Sequence, residues 1–596
     1  MTEKRNNPFT ADNIASMYTP TALAMIFSSL TGVIAVLIDG IIASRFVGSD
    51  IYSGMSLLRP FTSVVVLLSS FLSTGCNIVC SHLIGNGEKE KANMALNLSL
   101  VIALLFSAVL VLAVLIVPDW LLQLCGVSLT KYPELNPHMY GYLHGLMIGV
   151  PAMMLVEIFG PMLVMDNGKK LFSVSSTVLC VANIAGDLLN AFVFHGGAFG
   201  MGLVTAAAYI LQLLIMLLHF RNPDRFFRLS PKLVRLEPLK EIIQGGSPTL
   251  VKRLASTVRD ILINNFNMMA ALTTAAIAAR GIQNDLFTFL FCISTGLGRT
   301  LATMSGMYYG ANDIRGLKRL YSYAMKFGIQ VSFVAAAIVF GAARLLSRMY
   351  TDDAEVIALA AFSIRWMSAG LVFDTILSLL SHYLQGTKNL KLLDVINIGE
   401  RFVVPVATAF ILGRCYGTKG ILASAGITKF VLVLLLFLYV CWRCKGLPKR
   451  WEDVMFLPEG FGGEETDNLY AVIRTLEDIM QASREAQDFC REHGADARKA
   501  YYLSLCIEEM AVNILDHARK DGHDEIYVDF RLFVSEGRIC FSLRDLHRQF
   551  DPTAYYQLHI ADSPEAHIGI RIVTKMAKEV RYFSAFNSNN LIVFID

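Results

Sequence analysis

Twelve stretches long and apolar enough to cross a bilayer fill the chain as far as residue 442, and then they stop. A crossing helix needs about 20 predominantly apolar residues. The runs fall at 20–44, 53–81, 95–117, 139–161, 170–194, 198–219, 245–270, 275–307, 321–345, 358–383, 391–413 and 420–442. Charge changes at the same boundary. Residues 1–450 hold 60 Asp, Glu, Lys and Arg, 37 basic and 23 acidic; the remaining 146 residues hold 15 basic and 26 acidic. Soluble chains are roughly a quarter charged, and only the last part reaches that density. The sequence predicts an all-α polytopic membrane body followed by one soluble domain. A soluble enzyme and a uniform membrane protein are both excluded.

Loop charge orients the body. Lys89, Lys91, Lys169, Lys170, Arg221, Arg225, Arg228, Lys232, Arg235, Lys240, Arg315, Lys318, Arg319, Lys388 and Lys391 lie in even-numbered loops, and the odd-numbered loops carry about half as many basic residues. Basic loops stay cytoplasmic. The N-terminus, the even loops and the C-terminal domain are therefore expected in the cytoplasm, with the body in the inner (plasma) membrane. Residues 1–16 are polar, and the first run reads as a full span rather than a cleavable signal. The eleven Cys are scattered, without CxxC pairs or zinc spacing, and read as small apolar residues. Nucleic acid is not an expected partner; the bilayer and a small organic substrate are.

The body repeats itself. Pro20-Thr21 opens the first span and Pro248-Thr249 the seventh; Ser81-His-Leu-Ile-Gly85-Asn ends the second and Ser305-Gly-Met-Tyr-Tyr-Gly310-Ala-Asn the eighth. Gly168-Lys-Lys and Gly386-Thr-Lys precede the fifth and eleventh, and Asn183-Ile has a counterpart in Asn397-Ile. The expected division is a cytoplasmic segment 1–16, a six-helix half 17–220, a basic linker 221–243, a second six-helix half 244–445, a linker 446–464 and a soluble domain 465–596. Two halves in one orientation suit a transporter with its cavity between them.

Ionisable residues at membrane depth mark functional candidates, because a bare charge there is costly. Asp39 lies deep in the first span and Asp187 in the fifth, with Asn183 four residues earlier on the same helical face. Two carboxylates and an amide can hold a proton or a dehydrated Na⁺ and release it on reorientation. Asp374 and Glu400 are second-half candidates, and Arg259–Asp260 reads as a structural pair. Arg253 and Glu157 also fall within spans.

The order and spacing of Pro20, Asp39-Gly-Ile-Ile-Ala-Ser-Arg, Gly85-Asn-Gly-Glu-Lys, Met165-Asp-Asn-Gly-Lys and Asn183-Ile-Ala-Gly-Asp187 resemble the MATE family of multidrug and toxic-compound exporters over residues 10–445. The resemblance implies an antiporter that exports organic, often cationic compounds against Na⁺ or H⁺, with Asp39, Asn183 and Asp187 carrying the ion. Ala208 stands where relatives have Thr, which leaves the choice of ion open.

In the C-terminal domain, 467–493 and 497–519 read as helices, 525–534 and 538–544 as a hairpin, 567–579 as a helix, and 580–586 and 591–595 as strands: an α+β sandwich. Glu509 and Asn513 share a helix face, Asp545 ends a strand, and Gly569 opens a helix whose N–H groups can meet phosphate. In this order they resemble the GHKL (histidine-kinase-like) ATPase fold, closest to anti-sigma-factor serine kinases. The resemblance implies ATP and Mg²⁺ as cofactors, Glu509 as catalytic base, Asn513 as Mg²⁺ ligand, and Asp545 and Gly569 as nucleotide-binding residues. The family's glycines after the Asp are replaced, since the chain reads Asp545-Leu-His547-Arg-Gln549. No P-loop occurs, so an ATP-driven pump is not expected. The favoured reading is an ion-coupled antiporter whose tail senses ATP or a regulatory protein partner. The alternatives are a membrane-tethered serine kinase with a transporter-like sensor, and a flippase for a lipid-linked precursor.

Overall fold

The apolar runs are helical over most of their length in the computed structural model, which describes residues 9–124, 133–223, 225–265, 274–463, 465–520, 526–535, 538–547, 549–558, 571, 573 and 575–595. The first half comprises α1 (Phe9–Ile42), α2 (Ser49–Leu57), α3 (Arg59–Gly85), α4 (Lys89–Ile116), α5 (Pro118–Leu124), α6 (Asn136–Met147), α7 (Val150–Met165), α8 (Lys169–Leu189) and α9 (Gly197–Leu217). The second comprises α10 (Leu239–Asn265), α11 (Thr274–Gly310), α12 (Ile314–Arg348), α13 (Ala354–Gly386), α14 (Leu390–Ile398) and α15 (Val404–Arg443).

Among the described residues, nine helices qualify as spans by length and apolarity, or ten when the bent pair α6–α7 is one span. Two features account for the difference from twelve. The eleventh and twelfth runs form one 54-residue stretch, Leu390–Arg443, broken by non-helical backbone at Gly417 (φ 59°). Glycine tolerates that left-handed conformation. The seventh run, α10, carries Lys252, Arg253, Arg259 and Asp260 and is not apolar enough.

The repeat is visible as a reciprocal contact. A Cβ on Gly85 would lie 2.0 Å from the Met307 carbonyl oxygen, and one on Gly310 would lie 2.2 Å from that of His82. Residues 82 and 85 of the first half thus meet 310 and 307 of the second, as a local two-fold axis requires. Small residues permit such close approach of membrane helices. One helical level deeper, Asn77 Nδ2 donates to Thr303 Oγ1 at 3.0 Å. The halves are therefore closed against each other at this end. The 221–243 linker lies across the same end. Asp166 accepts from the backbone N–H groups of Phe226 (2.8 Å) and Phe227 (3.2 Å) and pairs with His219.

Beyond the short α16 (Glu452–Met455), the tail is a five-stranded antiparallel sheet in the order β1-β2-β3-β5-β4. Its strands are β1 (Asn468–Ile473), β2 (Val528–Ser535), β3 (Arg538–Asp545), β4 (Glu579–Ala585) and β5 (Ser588–Ile595). Its helices are α17 (Leu476–Glu492), α18 (Ala497–Lys520) and the short α19 (Pro552–Leu558). The α+β architecture is as expected, with one correction: 468–473 is a strand, not the start of a helix. Its β-favouring run pairs with β2, and the helix begins only after Thr475, where Thr475 and Asp478 form a reciprocal capping box.

Both faces of the sheet carry packed apolar side chains. Val528, Phe530, Leu532, Phe541, Leu543, Leu591 and Val593 pack on α17 and α18. The alternate residues Phe533, Cys540, Phe583, Ile592 and Phe594 join the core of the membrane body. That is why β5 is buried at every position, where a half-solvated strand would alternate.

Candidate functional site

The first-half site is built on α1 and α8. Asp39 and Asp187 lie within hydrogen-bonding reach of each other. Asp187 is fully buried and Asn183, one turn before it, nearly so. Both Asp187 oxygens, Asp39 Oδ1 and Asn183 Nδ2 are buried without a hydrogen-bond partner among the described residues. Two carboxylates in contact with no donor between them fit a shared proton or a cation held by oxygen ligands. Asn190 does something else: it bonds Gly196 N and Gly197 O and so fixes the turn into α9.

Asp374 and Glu400 already have a cation. Lys429 Nζ lies 2.8 Å from Asp374 Oδ1 and 2.7 Å from Glu400 Oε1, and Arg401 is 3.0 Å from Glu400. All three members of the Lys429 cluster are buried. A buried pair of this kind holds its geometry because removing one partner strands the other.

Between the halves is a cavity of about 370 Å³, lined by α3 and α7 on one side and by α10, α11 and α13 on the other. Its α3 residues run from Ser63 to Asn77, about 20 Å along the helix, and the Asn77–Thr303 bond lies at its tail-facing end. Lys252, Arg253, Arg299, Arg401, His382 and Glu157 are its ionisable lining residues.

The tail grips the closed end of both halves. Arg531 donates to the carbonyls of Ala311 (3.0 Å) and Asn312 (2.8 Å), and Arg581 donates to that of Asn86 (2.5 Å). These are the repeat-related turns after α11 and α3. Phe586 N donates to Met165 O at 3.1 Å, Asn167 Nδ2 to Ser584 Oγ at 3.0 Å, and Asn389 Nδ2 to Phe456 O at 3.1 Å. All of these body residues lie in even-numbered loops. Burial opposes ionisation of Asp313, yet the guanidinium groups of Arg531 and Arg544 hold its carboxyl below the usual range.

On the tail itself, Asn513 and Asp545 line a cavity of only about 40 Å³, against the ~300–1,000 Å³ of ordinary ligand pockets. His517 stacks on Phe550 there at 4.7 Å, and His547 and Tyr582 also line it. Burial pushes the Asp545 carboxyl up to about 6, moderated by bonds from Asn589 and the His547 backbone. Its Oδ1 accepts both, each at 2.9 Å. Glu509 stands one turn before Asn513 on α18, and Gly569 lies outside the described residues. Among the described residues the cavity beside Asn513 and Asp545 is far smaller than a nucleotide, with His517, His547 and Phe550 in its wall.

The MatE family profile matches residues 20–189 and 248–411, more than half of the chain. The chain belongs to the MatE family. A histidine kinase-like ATPase domain profile matches residues 473–594. The multidrug export protein MepA of Staphylococcus saprophyticus is 22% identical over 425 residues, covering 70% of this chain and 92% of that protein. MepA of Staphylococcus haemolyticus is 23% identical over 429 residues, covering 70% and 90%. Among solved structures, an outward-facing multidrug-resistance MATE transporter superposes with TM-score 0.66 at 18% identity, covering 72% of this chain and 95% of that one. The Vibrio cholerae MATE transporter VcmN gives 0.67 at 17%, covering 73% and 98%. The MatE body is thus a multi-pass membrane transporter fold with a histidine kinase-like domain fused to it.

The structure brings Asp39, Asn183 and Asp187 together, and separately Asp374 and Glu400. Lys429, Lys252, Arg299 and Arg401 were not singled out from the sequence. The adjacent cations Lys252-Arg253, four residues after Pro248 inside a span, were the available signal.

Proposed function

We propose that the chain is an ion-coupled secondary antiporter of the plasma membrane that exports small organic compounds, with a cytoplasmic tail that regulates it by docking. The donor-free carboxylate pair Asp39–Asp187 carries this reading. An H⁺ or Na⁺ entering it would neutralise charge inside the first half, and its departure would restore a repulsion that favours the other arrangement of helices. Asp374 and Glu400 serve in this scheme as counter-charges for Lys429. The body supplies the transport, and the tail, held by Arg531 and Arg581, bridges the two halves at their closed end. Basic residues concentrate in the loops that the tail covers, which supports a cytoplasmic location for both. A regulatory ligand or protein partner would act by releasing that bridge.

The test is dye efflux from proteoliposomes driven by an imposed proton or Na⁺ gradient. Asp39→Asn and Asp187→Asn are each expected to abolish gradient-driven flux while leaving passive exchange. Undiminished gradient-driven flux in both variants would overturn the ion-site assignment.

A further inference from the structure

We infer that the cleft between the two halves binds an organic anion: a compact molecule bearing a carboxylate or sulfonate on an aromatic or aliphatic body. The inference rests on the transport reading above, but its evidence is separate from the ion site.

Four basic side chains line the cleft, three of them arginines, and one carboxylate does. That carboxylate, Glu157, is committed to Arg299 at 3.3 Å. Arg401 is answered by Glu400, which lies behind it and also serves Lys429. Lys252 and Arg253 have no carboxylate within ion-pair distance among the described residues. Lys252 Nζ instead sits 6.0 Å from the centre of the Phe291 ring, and the Arg401 guanidinium lies 5.4 Å from the same ring. Phe291 thus presents an aromatic surface flanked by two cations, and the hydroxyl and amide groups of Ser70, Thr74, Thr295 and Asn397 add neutral donors.

An ammonium group inside a membrane protein with carboxylates only beyond ion-pair distance, as Lys252 has in Glu400 and Asp374, is costly unless an anion meets it. A cleft lined by one sign of charge between low-dielectric walls also concentrates ligands of the opposite sign. The same charges disfavour an organic cation, because it would be desolvated against Lys252 and Arg253 with one already paired carboxylate to receive it. The cavity volume falls within the range of small-molecule sites.

Fluorescein and rhodamine 110 share a ring system and differ in net charge, so they separate charge from shape. Fluorescence polarisation with the full-length protein in neutral detergent is expected to show fluorescein bound at least tenfold more tightly than rhodamine 110. Lys252→Gln and Arg253→Gln should each weaken fluorescein binding about tenfold with the melting temperature retained, and Lys252→Arg should preserve it. Competition by soluble benzenesulfonate supports the assignment. Equal or tighter rhodamine binding, or unchanged fluorescein binding in both Gln variants, overturns it. Displacement by phosphatidylglycerol micelles but not by benzenesulfonate overturns it too, in favour of a lipid headgroup. Asp187→Asn should still bind fluorescein, so a failure of ion coupling is distinguishable from a failure of anion binding.

Discussion

Replacing Arg531 by alanine removes the tail's guanidinium bonds to the backbone of the turn after α11 and leaves the Arg544–Asp313 contact. Two charge-assisted bonds are lost, to Ala311 O and Asn312 O. At about 1.5–3 kcal/mol each, their loss costs roughly 3–6 kcal/mol before water re-solvates the freed carbonyls. The ring contact with Phe533, 4.2 Å from guanidinium to centroid, is lost as well. Docking is intramolecular, so this cost acts directly on the docked-to-free ratio, which should fall by about 10² to 10⁴. Hydrogen exchange of the full-length protein reads the result. Peptides spanning 86–89 and 309–314 should gain deuterium faster, while the strand pairs β2–β3 and β3–β5 should stay protected, showing a tail that is undocked but folded. Arg531→Lys keeps the charge without the fork of donors and should fall between. Unchanged protection at both turns in Arg531→Ala would refute the claim that this side chain holds the tail in place.

Other perturbations test other contacts. Lys429→Met strands Asp374 beside Glu400 and should destabilise the body by about 3–5 kcal/mol, with recovery in Lys429→Met/Asp374→Asn; the thermal midpoint in detergent measures both. Asp545 is raised to about 6 from 3.8 in the folded tail, so its contribution to stability is full below pH ~4 and is lost as pH rises through 6, by up to about 3 kcal/mol. Asp545→Asn should therefore make the tail more resistant to proteolysis at pH 7.5 but not at pH 4, and an equal effect at both would count against the burial argument. Gly85→Val places a side chain into the Met307 carbonyl and should prevent closure. A Cys introduced at Thr303 should then react with a membrane-impermeant maleimide applied from the tail side.

Much of this architecture was legible because hydrophobic run length is a local property. The spans and the repeat landmarks Gly85 and Gly310 needed only run length and motif spacing, and Asn183 and Asp187 share one face of one helix; joining Asp39 to them rested on the family resemblance. The Lys429 cluster was not legible. Its members come from α13, α15 and the π-helical turn at Gly399–Val403, and only packing reveals that they meet. The strand β1 was missed because its alternation merges into the helical pattern that follows it. The tail's docking face was hidden for a third reason. Asp529, Arg531 and Phe533 look like an ordinary solvated face of a hairpin, and nothing in the strand says that the partner surface belongs to the same chain.

That docking face constrains how the transporter can work. For a cavity to open at the tail-facing end, α3 must part from α11 at Gly85 and Gly310, and the turns immediately after these glycines are the ones that Arg581 and Arg531 hold. A rigid sheet bonded to both turns cannot follow them apart, so at least one arginine must let go in every cycle or the tail must leave altogether. The energy of the bridge is then added to the barrier for opening at that end, and any ligand that binds the undocked tail more tightly than the docked one lowers it by mass action. The small size of the Asp545 cavity fits that logic. Asp545 ends β3, whose preceding residue Arg544 contacts Asp313 of the body at 3.5 Å, so a ligand that reshaped this strand end would act on the docking contact one residue away.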